Sequence, residues 1–338
     1  MPLWFAFKAF ARCNEGTAGY DVARPAPDLY SASEGEKAMR YALFCFTLVL
    51  LALSGCAQFA GAPSGLPGLS GERAMDYVRA QVALGPRPPG SPALQKCRAF
   101  IRETLLGFGY DVEDDAFVAD TPYGRIPMHN LIARNKKGGK GVIVLATHYD
   151  TKLMEGIQFV GANDAGSSTG LVLELARVLA PKRDKYEYWF LFLDGEEAFV
   201  EWSTFDSTYG SRHLAQRWKR EGVAPRIRAL ILLDMIGDKD LGIFYETNST
   251  PRLMDLVWET AKKTGLQTIL SPIRAPVEDD HIPFLDAGIP SVDIIDLQYG
   301  PGNSYHHTAE DSLDKISAES LEKTGRLVLA LLAVLQKQ

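Results

Sequence analysis

Cysteine is scarce in this chain, four in 338 residues, and no run of five or more Lys or Arg occurs. Cys13 and Cys45 fall near the N-terminus, Cys56 closes an apolar stretch, and Cys97 stands alone beyond it, so no disulfide framework is available after residue 56. Cys97, between Lys96 and Arg98, is expected to be a small residue on a helix flank with no chemical role. The missing basic block, with a formal charge of −6 spread over mixed signs, excludes the electrostatic footprint of a nucleic-acid binder. Long apolar runs are missing as well: the run at 42–53 is shorter than the roughly 20 residues that a membrane-spanning helix needs. No internal repeat is visible. What is present is 46% hydrophobic content, enough for one large core.

The run at 42–53 follows Arg40 and leads through small residues to a cysteine, the pattern of a secretory signal. Its end, Leu53-Ser54-Gly55-Cys56, resembles a bacterial lipobox, in which the cysteine is acylated and becomes the mature N-terminus. The expectation is therefore a lipoprotein signal peptide at 39–55 and an exported protein held by lipid on Cys56 to a bacterial membrane, facing periplasm or cell surface. Residues 1–38, with Pro25, Pro27, Asp21, Asp28, Glu34 and Glu36, are a poor preface to a signal, and a start at Met39 would leave them without function. Gly, Pro, Ala and Ser dominate 56–71, a flexible tether, and a single catalytic domain is expected over 72–338.

Within 72–338, extended apolar runs at 141–147, 186–193, 229–233 and 291–297 alternate with helical spacing at 166–179, 210–221, 251–264 and 317–336, after two helical stretches at 74–84 and 93–108. That alternation predicts an α/β three-layer sandwich with a central, mostly parallel mixed sheet flanked by helices. Ligands in such folds sit beyond the carboxyl ends of the strands. The polar residues gather there: 141–147 runs into His148-Tyr149-Asp150, 186–193 into Asp194-Gly195-Glu196-Glu197, and 229–233 into Asp234. Asp164 lies just before a helix, and His307 follows His306 near the C-terminus.

Carboxylate oxygen and imidazole nitrogen are the ligands of catalytic zinc, three from the protein with a fourth position open, and Asp164, Glu197 and His307 meet that demand. Singly, Asp164 also reads as a helix N-cap, Glu197 as a solvated acid and His307 as a surface histidine. Adjacent acids at the end of an apolar strand place buried charge where a metal or partner must compensate it, and the set favours a metal site.

The segments THYDTK at 147–152, FVGANDAGSSTGLVLELAR at 159–177, FLDGEEAFVEWS at 192–203, DSTYGSRHLA at 206–215, LLDMIG at 232–237, EDDHIPFLDAGIPS at 278–291 and HHT at 306–308 resemble the clan of zinc aminopeptidases and glutaminyl cyclases. DGEEAF followed by Trp202, the YGSRHLA stretch and DDHIPFL resemble the animal-type glutaminyl-peptide cyclotransferases in particular. The resemblance implies conversion of N-terminal glutamine to pyroglutamate with loss of ammonia, one zinc held by Asp164, Glu197 and His307, proton transfer by Glu196, and Asp234 and Asp279 as supporting acids. It implies peptides or exported proteins with N-terminal Gln as partners, and a monomer is expected. Trp202 is either a wall for the glutamine side chain or core packing. Asp280 and His281 are read as helix-start residues without a catalytic role. Animal members carry glutamine where Glu278 stands and tryptophan where His306 stands, so these two positions imply a more polar substrate pocket.

Two rivals remain at this stage. A di-zinc aminopeptidase of the same clan would use His148 and Asp234 for a second zinc, with Asp164 bridging and Glu196 activating water. A lipid-anchored peptide-binding protein would keep the fold without the chemistry.

Overall fold

The structure, a computed structural model, describes residues 68–135 and 139–338. The expected signal at 39–55, the upstream 1–38, Cys56 and all of the tether before Gly68 lie outside the described residues. Helices α1 (Gly71–Val82) and α2 (Pro92–Gly107) come first, each started by a serine whose hydroxyl accepts a backbone N–H, Ser70 from Arg73 and Ser91 from Leu94. The strands β1 (Asp111–Thr121) and β2 (Gly124–Arg134) then pair as an antiparallel hairpin. The remaining order is β3 (Val142–His148), α3 (Gly166–Leu179), β4 (Glu187–Leu193), α4 (Tyr209–Arg220), β5 (Ile227–Asp234), β6 (Ile243–Glu246), α5 (Pro251–Lys263), β7 (Leu270–Ala275), α6 (His281–Asp286), β8 (Ser291–Ile295) and α7 (Ala318–Leu335).

Six strands form one sheet in the order β1-β2-β4-β3-β5-β8. β4, β3, β5 and β8 run parallel, and β2 joins β4 antiparallel. The mixed, mostly parallel sandwich expected from the pattern is the fold observed. Each residue of β3 is buried, the mark of a parallel strand covered on both faces. Alternation sorts the side chains: Ile143, Leu145, Phe190, Phe192, Ile231 and Leu233 pack in one core with α1, α2, α3, α5 and α7. Val144, Ala146, Leu191, Leu193, Leu230 and Leu232 face Leu214 and Trp218 of α4 and Phe284 of α6. α1 crosses α3 so closely at Gly170 that a Cβ there would stand 2.7 Å from Ala74 O.

Three features differ from the expectation. The β1–β2 hairpin was not foreseen, because Asp111, Glu113, Asp114 and Asp115 crowd a strand that is mostly exposed or half-buried and carries no apolar run. β6 and β7 form a separate two-stranded parallel sheet. Cys97 is not on a helix flank but fully buried in the core under α2, and burial pushes its thiol up to about 11. α6 does begin at His281 with Asp280 in the cap position, yet the Asp280 side chain caps nothing and accepts from Ser211 Oγ at 2.5 Å.

Candidate active site

The carboxyl edge of the parallel strands carries the site. β3 ends on His148, β4 feeds Asp194 to Glu197, and β5 ends on Asp234, so three neighbouring strands deliver acids or imidazole to one place. Asp164 stands in the turn entering α3, and His307 comes from the long segment between β8 and α7. His307 has φ +52, a left-handed backbone region that few side-chain-bearing residues adopt.

His307 Nε2 lies 3.0 Å from Glu197 Oε1 and 3.3 Å from Asp164 Oδ2. Asp164 and Glu197 are buried, and Glu197 Oε2 lacks a hydrogen-bond partner, with only Lys152 Nζ at 3.5 Å. Two buried carboxylates converging on one imidazole nitrogen, with a carboxylate oxygen left over, suit a divalent cation. The protonation pattern agrees. Burial lowers the affinity of His307 for a proton, but hydrogen bonds to Asp164 and Glu197 reverse this and raise it to about 10, so the acids hold a proton where a cation would displace it. Burial would raise Asp164, but hydrogen bonds with His148 and His307 hold it well below the usual carboxylate range.

Asp164 faces two ways. His148 Nε2 is 3.2 Å from Asp164 Oδ1 and 3.2 Å from Asp234 Oδ1, so His148, Asp164 and Asp234 make a second group whose ligand-type atoms lie within 4.8 Å of one another. His306 packs on His307 with ring centroids 3.9 Å apart and approaches Asp164 Oδ2 to 3.9 Å. Of the two adjacent rings, only His307 also reaches Glu197. Burial lowers His306 to about 4, which keeps its ring neutral.

Glu196 is buried beside these groups, with His148 Nδ1 3.8 Å from Oε2. Burial raises its carboxyl well above the ordinary range; His148 opposes this, and the charges of Glu197, Asp279 and Asp280 add to it. Asp234 is raised by burial, partly offset by His148, and Asp279 is pushed up to about 7 by burial and then by Asp234. Trp202, Glu278 and Asp279 line one cavity of about 630 Å³ between α4 and α6. Trp202 is 38% exposed and so is not core packing, and Glu278 is exposed. The cavity shares Asp279 with the acid cluster, but Asp164, Glu197 and His307 do not line it.

Two supports escaped the sequence reading. Asp150 accepts the backbone N–H groups of Glu196 and Glu197, which locks the turn that aims both side chains. Asp311 accepts those of Asn163 and Asp164 and takes a hydrogen bond from Tyr299. Asp150 follows a strand and could have been suspected; nothing around Asp311 marks it.

Residues 130–332, more than half the chain, match the profile of peptidase family M28. The chain belongs to peptidase family M28. The glutaminyl-peptide cyclotransferase of Drosophila melanogaster is 34% identical over 269 residues, 72% of this chain and 75% of the relative. A glutaminyl cyclase from an Acidobacteriales bacterium superposes with a TM-score of 0.77 at 44% identity, covering 83% of this chain and 99% of that one. A leucine aminopeptidase precursor from Bacteroides thetaiotaomicron superposes with a TM-score of 0.69 at 27% identity, covering 79% of this chain and 98% of that one.

Proposed function

We propose that this M28 chain is a glutaminyl-peptide cyclotransferase, which closes an N-terminal glutamine of a peptide into pyroglutamate and releases ammonia. The observation that carries this reading is the 44% identity to the Acidobacteriales glutaminyl cyclase over nearly that whole chain. In the reaction the substrate's own α-amine attacks its γ-carbon, a C–N bond forms within the ring, and the bond from the γ-carbon to the amide nitrogen breaks.

Asp164, Glu197 and His307 would hold one zinc ion, which when bound acts as a Lewis acid on the γ-carboxamide oxygen. Glu196 takes the proton from the attacking amine and returns it to the departing ammonia. Its burial among acids favours this exchange, because a carboxyl raised toward neutrality both accepts and donates readily. Asp234 and Asp279 form a pair of acids that receives the leaving nitrogen. Trp202 provides the flat wall for the glutamine side chain, Glu278 adds a polar group to the same cavity, and His306 contributes from beside Asp164. The exported, lipid-anchored state rests on the LSGC signature at 53–56, and replacing Cys56 with Ser would free the protein from the membrane fraction if that reading holds.

A second reading, a two-metal aminopeptidase, draws on the His148, Asp164 and Asp234 group and on the leucine aminopeptidase neighbour. One experiment separates the two. Residues 56–338 are incubated with a Gln-initiated peptide and with leucyl substrates while metal per chain is counted. Loss of one ammonia from the peptide with one zinc supports the cyclase; free amino acid with two zinc ions overturns it.

A further inference from the structure

Behind Asp279 lies a group of side chains that the reaction above does not use. Glu246 at the end of β6, His281 at the start of α6 and Asp293 in β8 are fully buried, and Asp279 is nearly so. His281 Nε2 faces Glu246 Oε2 at 3.2 Å, and its Nδ1 faces Asp293 Oδ2 at 3.9 Å. Asp279, His281 and Asp293 bring ligand-type atoms within 4.8 Å of one another.

The acids differ in how their charge is met. Glu246 accepts backbone N–H groups from Asn248, Ser249 and Val277 and the hydroxyl of Ser249. Against the opposing effect of burial, His281 and these donors hold it at about 2, so it is ionised. Asp293 has no such help. Neither of its carboxyl oxygens, nor Oδ2 of Asp279, receives a hydrogen bond from any N–H or hydroxyl among the described residues. Two ionised carboxylates buried side by side are strongly disfavoured, and a proton shared between them removes most of that penalty. The charged groups facing Asp293 are Asp234 from β5, Glu246 from β6, and Asp279 and His281 at α6. Burial and then the charges of Asp279, Asp234 and Glu246 raise its carboxyl well above the ordinary range.

We propose that Glu246, His281 and Asp293 are positioning residues for Asp279: Asp293 carries a proton and donates it in a hydrogen bond to Asp279, while His281, anchored by Glu246, closes off the other side. Asp279 Oδ1 already accepts the Asp280 N–H, so the bond from Asp293 fixes the remaining freedom of the carboxylate that lines the cavity. The inference rests on the cyclase reading for the use of Asp279, but not for the protonation of Asp293.

The test compares Asp293→Asn, which keeps a donor, with Asp293→Ala, which does not, in the metal-loaded full chain. With a Gln-initiated peptide, the Asn variant is expected to stay within about threefold of the parent in kcat and the Ala variant to fall about tenfold or more, with KM moving less than kcat. In protein labelled with ¹³C at the aspartate carboxyl, the resonance lost in Asp293→Asn is expected at a protonated position at pH 7, whatever the activity. If the parent turns over no glutaminyl peptide while Asp293 is protonated, the function fails and the hydrogen bond stands. Equal losses in the two variants, an ionised Asp293 at pH 7, or a divalent cation lost from both variants would overturn the inference.

Discussion

Buried acids occur in two parts of this molecule and are treated oppositely. Glu174 in α3, fully buried, accepts from Ser70 N and from the guanidinium groups of Arg73 and Arg177, the latter at 2.8 Å. Asp115 in β1 is met by Arg217 at 2.9 Å and by Asn130 at 3.0 Å. At the carboxyl edge of the parallel strands, Asp164, Glu196, Asp234, Asp279, Asp280 and Asp293 form no ion pair with Arg or Lys among the described residues; what faces them is histidine and one another. A buried carboxylate that has its arginine is satisfied within the fold. One with neither an arginine nor enough N–H and hydroxyl donors is stabilised by a proton or a metal, and each of those can be exchanged during a reaction. The difference between the regions is therefore a difference between stability and chemistry, and it can be tested from both sides.

The largest expected effect is on the chemical side. Glu196→Gln keeps the shape of the side chain and removes its proton exchange, so kcat for a Gln-initiated peptide should fall by about a hundred- to ten-thousandfold while the melting temperature holds or rises. Glu174→Ala should do the reverse. It removes the buried carboxylate that Ser70 N–H, Arg73 and Arg177 share and should cost about 1–3 kcal/mol in a denaturant titration, with kcat of the folded fraction unchanged. If Glu174→Ala lowered kcat and left stability alone, the contrast between the two regions would collapse.

That contrast was only half legible in the sequence. The strands that lead into His148, Glu196 and Asp234 announce themselves as apolar runs followed by polar residues, because a parallel strand covered on both faces is mostly apolar along its length. Asp164 and His307 lie in irregular segments with no periodicity; their ligand-type side chains make them candidates, and the resemblance to a known clan is what implies their joint role. The hairpin β1–β2 carries no apolar run to mark it, and its acids pair with Arg134 on the facing strand and with the distant Arg217. His281 is, from the sequence, a helix-start residue; its contact with Glu246 joins two segments that no local signal connects. Long-range charge compensation is a property of the fold, and single-sequence spacing does not contain it.

A smaller effect tests whether the edge acids hold protons. Asp279, raised to about 7 chiefly by burial and then by Asp234, binds its proton more tightly folded than unfolded, where an aspartate loses it near pH 4. Its contribution to stability is thus complete below the unfolded value and is lost as pH rises through about 7. Asp279→Asn stays neutral throughout. Its melting temperature relative to the parent should climb between about pH 4 and 7 and then level off. A difference that stays flat over that window would mean that Asp279 is ionised throughout.

The smallest effect concerns Trp202, which stands on the cavity wall with a third or more of its surface exposed. An aromatic wall contributes about 0.5–1.5 kcal/mol to binding a flat amide, so Trp202→Ala should raise KM for the Gln-initiated peptide by about three- to tenfold and leave kcat near the parent value. Since Trp202 is more than a third exposed and joins none of the hydrophobic core clusters, the melting temperature should barely move, as for other exposed positions. A large loss of stability with KM unchanged would return Trp202 to the packing role that its sequence context also allowed, and the cavity would then need a different wall for the glutamine side chain.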